Sequence, residues 1–453
     1  SYAGSPQLES ARALEALRPL LEDPAVAKVG HNLKFDLVVL ARHGIRMAPA
    51  SFDTMIAEWL CDPASRNLGL KSLAFVRLGL EMVEIESLIG RGRDQRSMAE
   101  VPVGEAAPYA AADAAACLQL MPPLRQELEA KDQVRLFEEL EMPLLPVLAD
   151  MEMAGVLLDT SFLRSLSVEF SRRLADIEAR ITGQVGHPFN VNSPQQLAHV
   201  LFEELRLQPP DRGRKTASGH FSTAASVLED MRHAHPVVDL ILEQREIAKL
   251  QSTYVEALPM QVDPDTGRVH TSYSQTGSVT GRLASSEPNL QNIPIRTDLG
   301  RQIRHAFVAA RGSRLLSVDY SQIELRIAGH MSQDQAMRQA FLEDQDIHQA
   351  TAAAIFGVSP ESVLPDLRRQ AKAVNFGLLY GMSPFGLSRS TGLTLGEAEV
   401  FVKTYFERFP GIRRYLERVR AQARDRGYVE TLAGRRRYFP QLLRGSAPVS
   451  DVA

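Results

Sequence analysis

The stretch RRQAKAVNFGLLYG, residues 368–381, places four side chains at strict four-residue intervals. They are Arg368, Lys372, Phe376 and Tyr380, and the positions between them are mostly Ala, Val and Leu. On an α-helix a step of four residues turns by about 400°, so these side chains share one face. Two cations followed by two rings can hold a triphosphate at one end and a base at the other. The pattern favours a nucleotide-binding helix.

A simpler interpretation of this spacing exists. Phe376 and Tyr380 can be core residues at ordinary helical spacing, with Arg368 and Lys372 in solvent. For any single pair that interpretation is the more common outcome. The order of the four, with the cations at one end and the rings at the other, favours nucleotide binding.

The bulk composition limits the possibilities. A chain of 453 residues is too long for one core and predicts about two to four domains. No run of eighteen apolar residues occurs, which excludes a membrane-spanning helix. With only Cys61 and Cys117, a disulfide framework is excluded and a reducing cytoplasm is indicated. The first residues show neither Met nor a signal pattern, so we expect the chain to begin inside a longer protein.

Charge is unevenly distributed along the chain. The formal net charge of −4 argues mildly against nucleic-acid binding, but residues 401–445 carry twelve Lys and Arg against four acids. A second basic cluster lies in residues 211–220. Most charge runs are solvated helix faces. Two separate basic zones nevertheless favour a phosphate backbone held along a groove, so four cations are candidate DNA contacts: Arg212, Arg214, Lys215 and Arg435.

The hydrophobic pattern divides the chain into regions. Residues 8–136 alternate short apolar runs with helices, as α/β domains do, and residues 137–259 are almost wholly helical in pattern. Residues 263–286 alternate Thr, Ser, Tyr and Val around Gly and Asp, which is typical of antiparallel strands. Further on, SRLLSVDY (313–320) predicts a buried strand. After more helices, GYVETLAGRRRYF (427–439) predicts a hairpin.

Asp319 ends the predicted strand, and an amphipathic helix follows at once. A carboxylate at a strand end, beside a free backbone carbonyl, is a place where Mg²⁺ can bind and keep open positions for phosphate oxygens. The alternative is a helix N-cap. Glu324, five residues on, is near enough to approach the same site.

Three long motifs together point to a family. TGRLASSEPNLQNIP (280–294), DYSQIELR (319–326) and the stretch 368–381 occur in the order found in family A DNA polymerases, and the chain resembles that family, of the bacterial DNA polymerase I type. The resemblance implies an α/β and α+β multidomain chain. It assigns a partial ribonuclease-H-like 3′–5′ exonuclease domain (1–135), a helical thumb (136–260), part of an antiparallel palm (261–331), helical fingers (332–432) and the start of a palm return (433–453).

The resemblance also implies a role for each matched residue. Asp319 would bind two catalytic Mg²⁺ ions, with the Tyr320 carbonyl assisting. Arg368 and Lys372 would grip the β- and γ-phosphates of the nucleotide, joined by His348. The remaining matches concern the sugar, the base and the primer end: Glu324 beneath the incoming sugar, Phe376 stacked near sugar and base, Tyr380 in the template-side pocket beside Gly377 and Gly381, and Arg282, Asn289 and Gln291 in the minor groove.

The implied activity is DNA-directed DNA polymerisation in replication and repair. Its partners would be primer–template DNA and deoxynucleoside triphosphates, and the protein would act as a bacterial cytoplasmic monomer without membrane contact. Minor-groove acceptors are common to all base pairs, so donors placed there can check geometry without choosing a base.

Two parts of the family pattern are incomplete. Asp36 in HNLKFD, with Tyr109 and Asp113 in YAAADAAA, matches the second and third exonuclease motifs, but the first motif would lie before Ser1. The second palm carboxylate of the family lies in a His-Asp-Glu turn, which does not occur in this sequence. We therefore expect a fragment cut at both ends, lacking one metal ligand and weakly active or inactive.

Two other functions compete with polymerisation. One is a catalytically inactive DNA-binding module that keeps the thumb and fingers, although Asp319, Arg368 and Lys372 have no evident use there. The other is a stand-alone exonuclease, which the missing first motif disfavours.

Overall fold

The computed structural model describes residues 8–210, 216, 219–295 and 297–443, apart from the side chains of Ala354 and Ser390. Helices dominate these residues, and the strands form four small sheets. Three separate hydrophobic cores occur within these ranges, and they contain Trp59, Ile241 and Val374 respectively. The predicted multidomain organisation with mixed α/β and α+β character is confirmed.

The N-terminal unit surrounds a parallel strand pair in which Val29 faces Phe52 and Gly30 faces Asp53. Asp53 is fully buried and caps the helix that follows it, accepting the N–H groups of Met55 (2.9 Å) and Ile56 (3.3 Å). The elements are α1 (Ser10–Glu22), β1 (Val29–Gly30), α2 (Leu33–Arg42), β2 (Phe52–Asp53), α3 (Thr54–Cys61), α4 (Leu70–Leu78), α5 (Glu86–Ile89), α6 (Val103–Ala130), α7 (Val134–Leu136) and α8 (Met142–Ala154). A π-helical turn, Phe137–Glu141, joins the last two.

The middle unit packs two long helices, α9 and α12, around the second core, and strands follow them. The helices predicted from the apolar spacing are confirmed, as are the antiparallel strands after Asp263. The elements are β3 (Val156–Leu157), α9 (Thr160–Val185), α10 (Pro194–His199), α11 (Ala225–Asp230), α12 (Pro236–Leu250), α13 (Ala257–Met260), β4 (Val262–Asp263), β5 (Arg268–Val269), β6 (Ser272–Ser274), β7 (Ala284–Ser286) and α14 (Asp298–Arg304). The strands form the sheets β3-β5-β4 and β6-β7.

The C-terminal unit is helical and closes with a hairpin. Its helices are α15 (Ile323–Ser332), α16 (Gln335–Leu342), α17 (Ile347–Phe356), α18 (Pro365–Leu379), α19 (Pro384–Thr391), α20 (Leu395–Arg408), α21 (Pro410–Arg426) and α22 (Pro440–Leu443). The hairpin pairs β8 (Tyr428–Glu430) with β9 (Arg436–Tyr438). Gly434 turns the chain between them at φ +83°, a conformation that glycine adopts without strain. The predicted hairpin is confirmed.

The segment 313–320 differs from its prediction. We expected a buried strand ending at Asp319, but these residues form no strand and are exposed, with Leu316 at 87% and Val318 at 83% of full exposure. A strand is buried only when neighbouring strands pair with it, and none of the strands described here lies beside this segment.

The hairpin docks on the N-terminal unit rather than projecting into solvent. Gln133 Nε2 donates to the Gly434 carbonyl at 2.7 Å, and Arg436 Nη1 donates to the Lys131 carbonyl at 2.5 Å. The Lys131 ammonium lies 4.7 Å from the centre of the Tyr438 ring. Among the described helices, none combines the length and apolarity that crossing a bilayer requires.

Candidate nucleotide and DNA site

Helix α18 carries the predicted stripe. Arg368, Lys372 and Phe376 lie on the helix, and Tyr380 is the residue that caps its end. Lys372 and Tyr380 are exposed and Phe376 is partly buried, whereas Val374 between them belongs to the core. The helix thus buries one face and presents the stripe on another, as the spacing predicted.

The cationic end of the stripe is held by an acid. Asp346 accepts a hydrogen bond from Arg368 Nε at 2.6 Å, and it caps α17 through the N–H groups of His348 (2.9 Å) and Gln349 (3.1 Å). Burial works to raise the pKa of Asp346, but these hydrogen bonds outweigh it and hold the pKa below its ordinary value. Asp346 is therefore ionised at neutral pH and orients the guanidinium.

His348 lies in the interior, which the sequence did not predict. Its Nδ1 accepts a hydrogen bond from Asn375 Nδ2 at 2.9 Å, and Asn375 Oδ1 accepts one from Thr351 at 3.1 Å. The imidazole lies 5.7 Å from the Phe376 ring, centre to centre. Only 2% of His348 is exposed. The ring is positioned beside the stripe, but it does not face solvent as an open phosphate ligand would.

The charge state of His348 follows from these surroundings. Burial lowers its pKa to about 4; Arg368 and Lys372 act in the same direction, and Asp346 opposes them. The imidazole is neutral at pH 7. Because Nδ1 accepts a hydrogen bond, the proton resides on Nε2.

A second cluster of contacts, formed by Arg282, Glu324 and Tyr380, joins the middle unit to the helices of the C-terminal unit. Arg282 Nη2 donates to Glu324 Oε1 at 2.8 Å. Burial raises the pKa of the Tyr380 hydroxyl, and its hydrogen bond to Glu324 adds to the rise, while Arg282 opposes it. Three residues predicted from separate motifs, for the primer end, the sugar and the template-side pocket, are thus in contact.

Asn289 and Gln291 shape the loop that carries Arg282. Asn289 Oδ1 accepts the N–H of Gln291 at 3.1 Å, starting a short 3₁₀ turn, and Gln291 Nε2 donates to the Leu283 carbonyl at 3.0 Å. In this conformation Asn289 bonds within its own turn, and Gln291 reaches past β7 to the loop that carries Arg282.

Asp319 and Tyr320 lie on the exposed segment 313–320. Tyr320 is 80% exposed. No group of three or more His, Cys, Asp or Glu side chains suited to a metal ion occurs among the residues that the structure describes. The predicted metal site is represented there by one carboxylate.

Arg435 does not occupy the surface position that DNA contact requires. Its guanidinium pairs with Glu141, which is buried, and lies 4.7 Å from the centre of the Trp59 ring. Only 13% of the Arg435 side chain is exposed. The prediction that Arg435 contacts DNA, which was made from local charge, is thus corrected, because its guanidinium contacts Glu141 and Trp59 of the N-terminal unit. Arg212, Arg214 and Lys215 lie outside the described residues.

The exonuclease-like residues lie in the N-terminal unit. Asp36 is on α2, and Tyr109 and Asp113 are on α6. Lys71 Nζ donates to the Tyr109 hydroxyl at 2.9 Å and lies 4.2 Å from the centre of its ring. Burial raises the pKa of Asp36. It also raises that of Asp113, against the opposing effects of Lys71 and Tyr109.

Comparison with known proteins decides the family. The model of "DNA polymerase family A" matches residues 160–451, and that of a "3'-5' exonuclease" matches residues 4–129. The chain belongs to DNA polymerase family A. The family recognised in the sequence, and its pairing of an exonuclease domain with a polymerase domain, are confirmed.

Curated bacterial proteins are among its relatives. DNA polymerase I of Chloroflexus aurantiacus is 48% identical over 440 residues, covering 96% of this chain and 46% of the relative. DNA polymerase I of Pseudomonas aeruginosa is 45% identical over 447 residues, covering 98% of this chain and 49% of the relative. The chain therefore spans about half the length of the curated relatives it matches.

A solved structure shows the same fold. The POL domain of Pol1 from M. smegmatis, in complex with DNA primer-template and dNTP, superposes with a TM-score of 0.83 at 37% identity. The match covers 95% of this chain and 71% of that one.

Proposed function

We propose that this chain carries polymerase and exonuclease-like parts of a DNA-directed DNA polymerase that acts in replication and repair. The reaction is nucleotidyl transfer from a deoxynucleoside triphosphate to the primer 3′-hydroxyl. The observation that carries the proposal is the stripe on α18, with Arg368 held by Asp346 at 2.6 Å, in a chain of family A. Monomeric action in a bacterial cytoplasm belongs to the same proposal.

Nucleotide binding begins at the cationic end of the stripe. Arg368 and Lys372 bind the β- and γ-phosphates, since fixed cations neutralise the triphosphate and orient it for in-line attack. Neutral His348 supports them as an Nε2 donor once the ring gains access to the phosphates. Its interior position means that this access requires a local movement.

The other end of the stripe receives the nucleoside. Phe376 stacks near the sugar and base, and Tyr380 fills the template-side pocket. Glu324 lies beneath the sugar, where its volume excludes a ribose 2′-hydroxyl. Its bond to Arg282 and its contact with Tyr380 support this placement, because they fix the carboxylate beside the end of α18.

Primer–template DNA binds across the middle unit and the basic C-terminal region. Arg282, Asn289 and Gln291 approach the minor groove of the primer end, with the two amides exchanging their loop contacts for base acceptors. The cations Arg212, Arg214 and Lys215 contact the backbone. Arg435 is left out of the DNA contacts because Glu141 and Trp59 already engage it.

Mg²⁺ is the implied cofactor, with Asp319 and the Tyr320 carbonyl as its proposed ligands. It would bring the primer hydroxyl and the triphosphate together and stabilise the developing charge. The described residues do not fit a complete site, since one exposed carboxylate is no metal cluster.

That incomplete metal site favours a second candidate, a DNA-binding module with little or no catalysis. It would bind primer–template DNA and nucleotide through the same residues but transfer nucleotides slowly. The exonuclease-like site is also incomplete as a metal site. The Lys71 ammonium donates to the Tyr109 hydroxyl beside Asp113, and no metal cluster is found in the described part of the N-terminal unit.

Single-turnover primer extension with Mg²⁺ tests the proposal. Arg368→Met should weaken the apparent nucleotide affinity about tenfold or more, because a charge-assisted contact to phosphate is lost. Arg369→Met is the matched control, since Arg369 pairs with Asp366 off the stripe and both are well exposed. Equal effects of the two variants would contradict the assignment of the stripe. Nucleotide and DNA binding without extension would support the second candidate.

A further inference from the structure

A buried carboxylate lies where the N-terminal unit meets the hairpin and the strand β6. Glu141 is 1% exposed. One of its oxygens accepts from Arg435 Nη2, and the other accepts from Gln275 Nε2 at 2.7 Å. Gln275 also donates to the Glu141 carbonyl at 3.1 Å. The three residues are far apart in the sequence, so this contact joins three parts of the chain.

Arg435 also contacts the loop between β6 and β7, which carries Arg282. The guanidinium lies over the Trp59 ring on one side and against Gly281 on another. A Cβ atom built on Gly281 would lie 2.9 Å from both Cδ and Cζ of Arg435, so a side chain there would have to displace the guanidinium. Gly281 also has φ +83°, so both the close approach and the backbone require glycine.

Arg282 follows Gly281 directly and pairs with Glu324 on α15. Gln275, at the other end of the same loop, is bound by Glu141. The buried Glu141–Arg435 pair thus bonds Gln275 at one end of residues 275–282 and packs against Gly281 near the other end.

We infer that Glu141 and Arg435 form a positioning pair that fixes residues 275–282 and so orients Arg282 for the primer end. The inference rests on the proposed function of Arg282 in binding primer–template DNA. Through Trp59, Gln133 and Glu141, the N-terminal unit (helices α1 to α8) then supports the polymerase site, independent of any nuclease activity.

The choice of variants has to separate positioning from stability. Removing one partner leaves an uncompensated buried charge, which destabilises a protein whatever the pair does. The charge-neutral double variant Glu141→Gln with Arg435→Met avoids this, because a buried ion pair replaced by neutral groups of similar volume is often tolerated. The amide oxygen introduced by Glu141→Gln also remains an acceptor for Gln275. The matched control is Arg135→Met with Glu139→Gln, which removes an exposed Arg–Glu pair of the same unit.

The decisive measurement is a double-mutant cycle in which DNA affinity is compared among the variants. Fluorescence anisotropy would compare DNA with a recessed primer end against a blunt duplex, for the wild-type protein, the Glu141/Arg435 double variant, Arg282→Gln and their combination. We expect the double variant to bind recessed DNA about fivefold more weakly and blunt duplex unchanged, with no further loss when Arg282→Gln is already present. Fully additive losses, or no loss, would overturn the inference. The exposed-pair control should bind like wild type.

Hydrogen exchange provides a readout that needs no DNA. In the Glu141/Arg435 variant, amides of residues 275–283 should exchange faster, while those of α17 and α18 stay unchanged. Should the wild-type protein fail to bind primer–template DNA, the proposed function fails, and exchange alone decides whether the pair fixes the loop. Unchanged exchange in residues 275–283 would overturn the pair's positioning role.

Discussion

His348 should make the helices that carry the stripe sensitive to acid. In the folded protein its pKa is about 4, whereas an ordinary histidine has a pKa of about 6.5. A group whose folded pKa is lowered contributes stability above its unfolded pKa, and this contribution is lost as the pH falls toward the folded value. The window is therefore about pH 6.5 to 4. The groups that face the ring are Asp346, Arg368 and Lys372.

The magnitude follows from the two pKa values. Before screening by solvent is considered, the lowered pKa of His348 corresponds at pH 5 to a loss of about 2 kcal/mol from the free energy of unfolding. Because Arg368 and Lys372 are in contact with solvent, part of their effect is screened, and we expect about 1–2 kcal/mol. The equilibrium constant for local opening of α17 and α18 should then rise roughly five- to thirtyfold between pH 7 and pH 5.

Hydrogen exchange followed by mass spectrometry measures that opening, after correction for the intrinsic pH dependence of exchange. His348→Asn removes the titration but keeps an acceptor for Asn375, so peptides within residues 347–379 should lose most of their acid response. His31→Asn is the control, because His31 has a similarly lowered pKa but lies in the N-terminal unit. If the His348 variant keeps the full acid response, another group is responsible and the reasoning is refuted.

Three further predictions concern substrate and DNA. Glu324→Ala should raise ribonucleotide incorporation relative to deoxynucleotide by about tenfold, because space opens for the 2′-hydroxyl; an unchanged single-turnover ratio would contradict this. Phe376→Tyr should raise dideoxynucleotide acceptance up to about tenfold, since a phenol can replace one lost hydrogen bond, and equal ratios in both proteins would show that the ring lies elsewhere. Neutralising Arg212, Arg214 and Lys215 together should reduce the slope of log affinity for DNA against log salt concentration by about 2 to 3. Binding titrations at several salt concentrations measure this slope. An unchanged slope would show that these cations do not contact DNA.

Local patterns predicted the elements that depend on local chemistry. The spacing of Arg368, Lys372 and Phe376 predicted α18, because a helix face is set by residues three and four apart. The Gly434 turn predicted the hairpin for a similar reason. The motifs also named Arg368, His348, Arg282, Glu324 and Tyr380, but they indicated neither the contacts among these residues nor the role of Asp346.

Features that depend on distant partners were missed or wrong. The apolar run before Asp319 looked like a buried strand, but its burial depends on strands from elsewhere in the fold. Arg435 looked like a surface cation, because nothing in the nearby sequence indicates the buried carboxylate of Glu141. Thr351 and Asn375, which set the protonation of His348, have no signal beyond being polar residues on apolar helix faces.

The exposed segment 313–320 also determines how the protein should respond to proteases. It offers Leu315, Leu316 and Tyr320 to an enzyme that cleaves after large apolar or aromatic residues. In the sequence, the segment lies after the residues of the core that contains Ile241 and before those of the core that contains Val374. A cut there therefore leaves every core within one fragment. The fragments would stay joined by the docked hairpin and the Arg282–Glu324 pair. A nicked preparation would therefore elute as one species and reveal two pieces only on a denaturing gel.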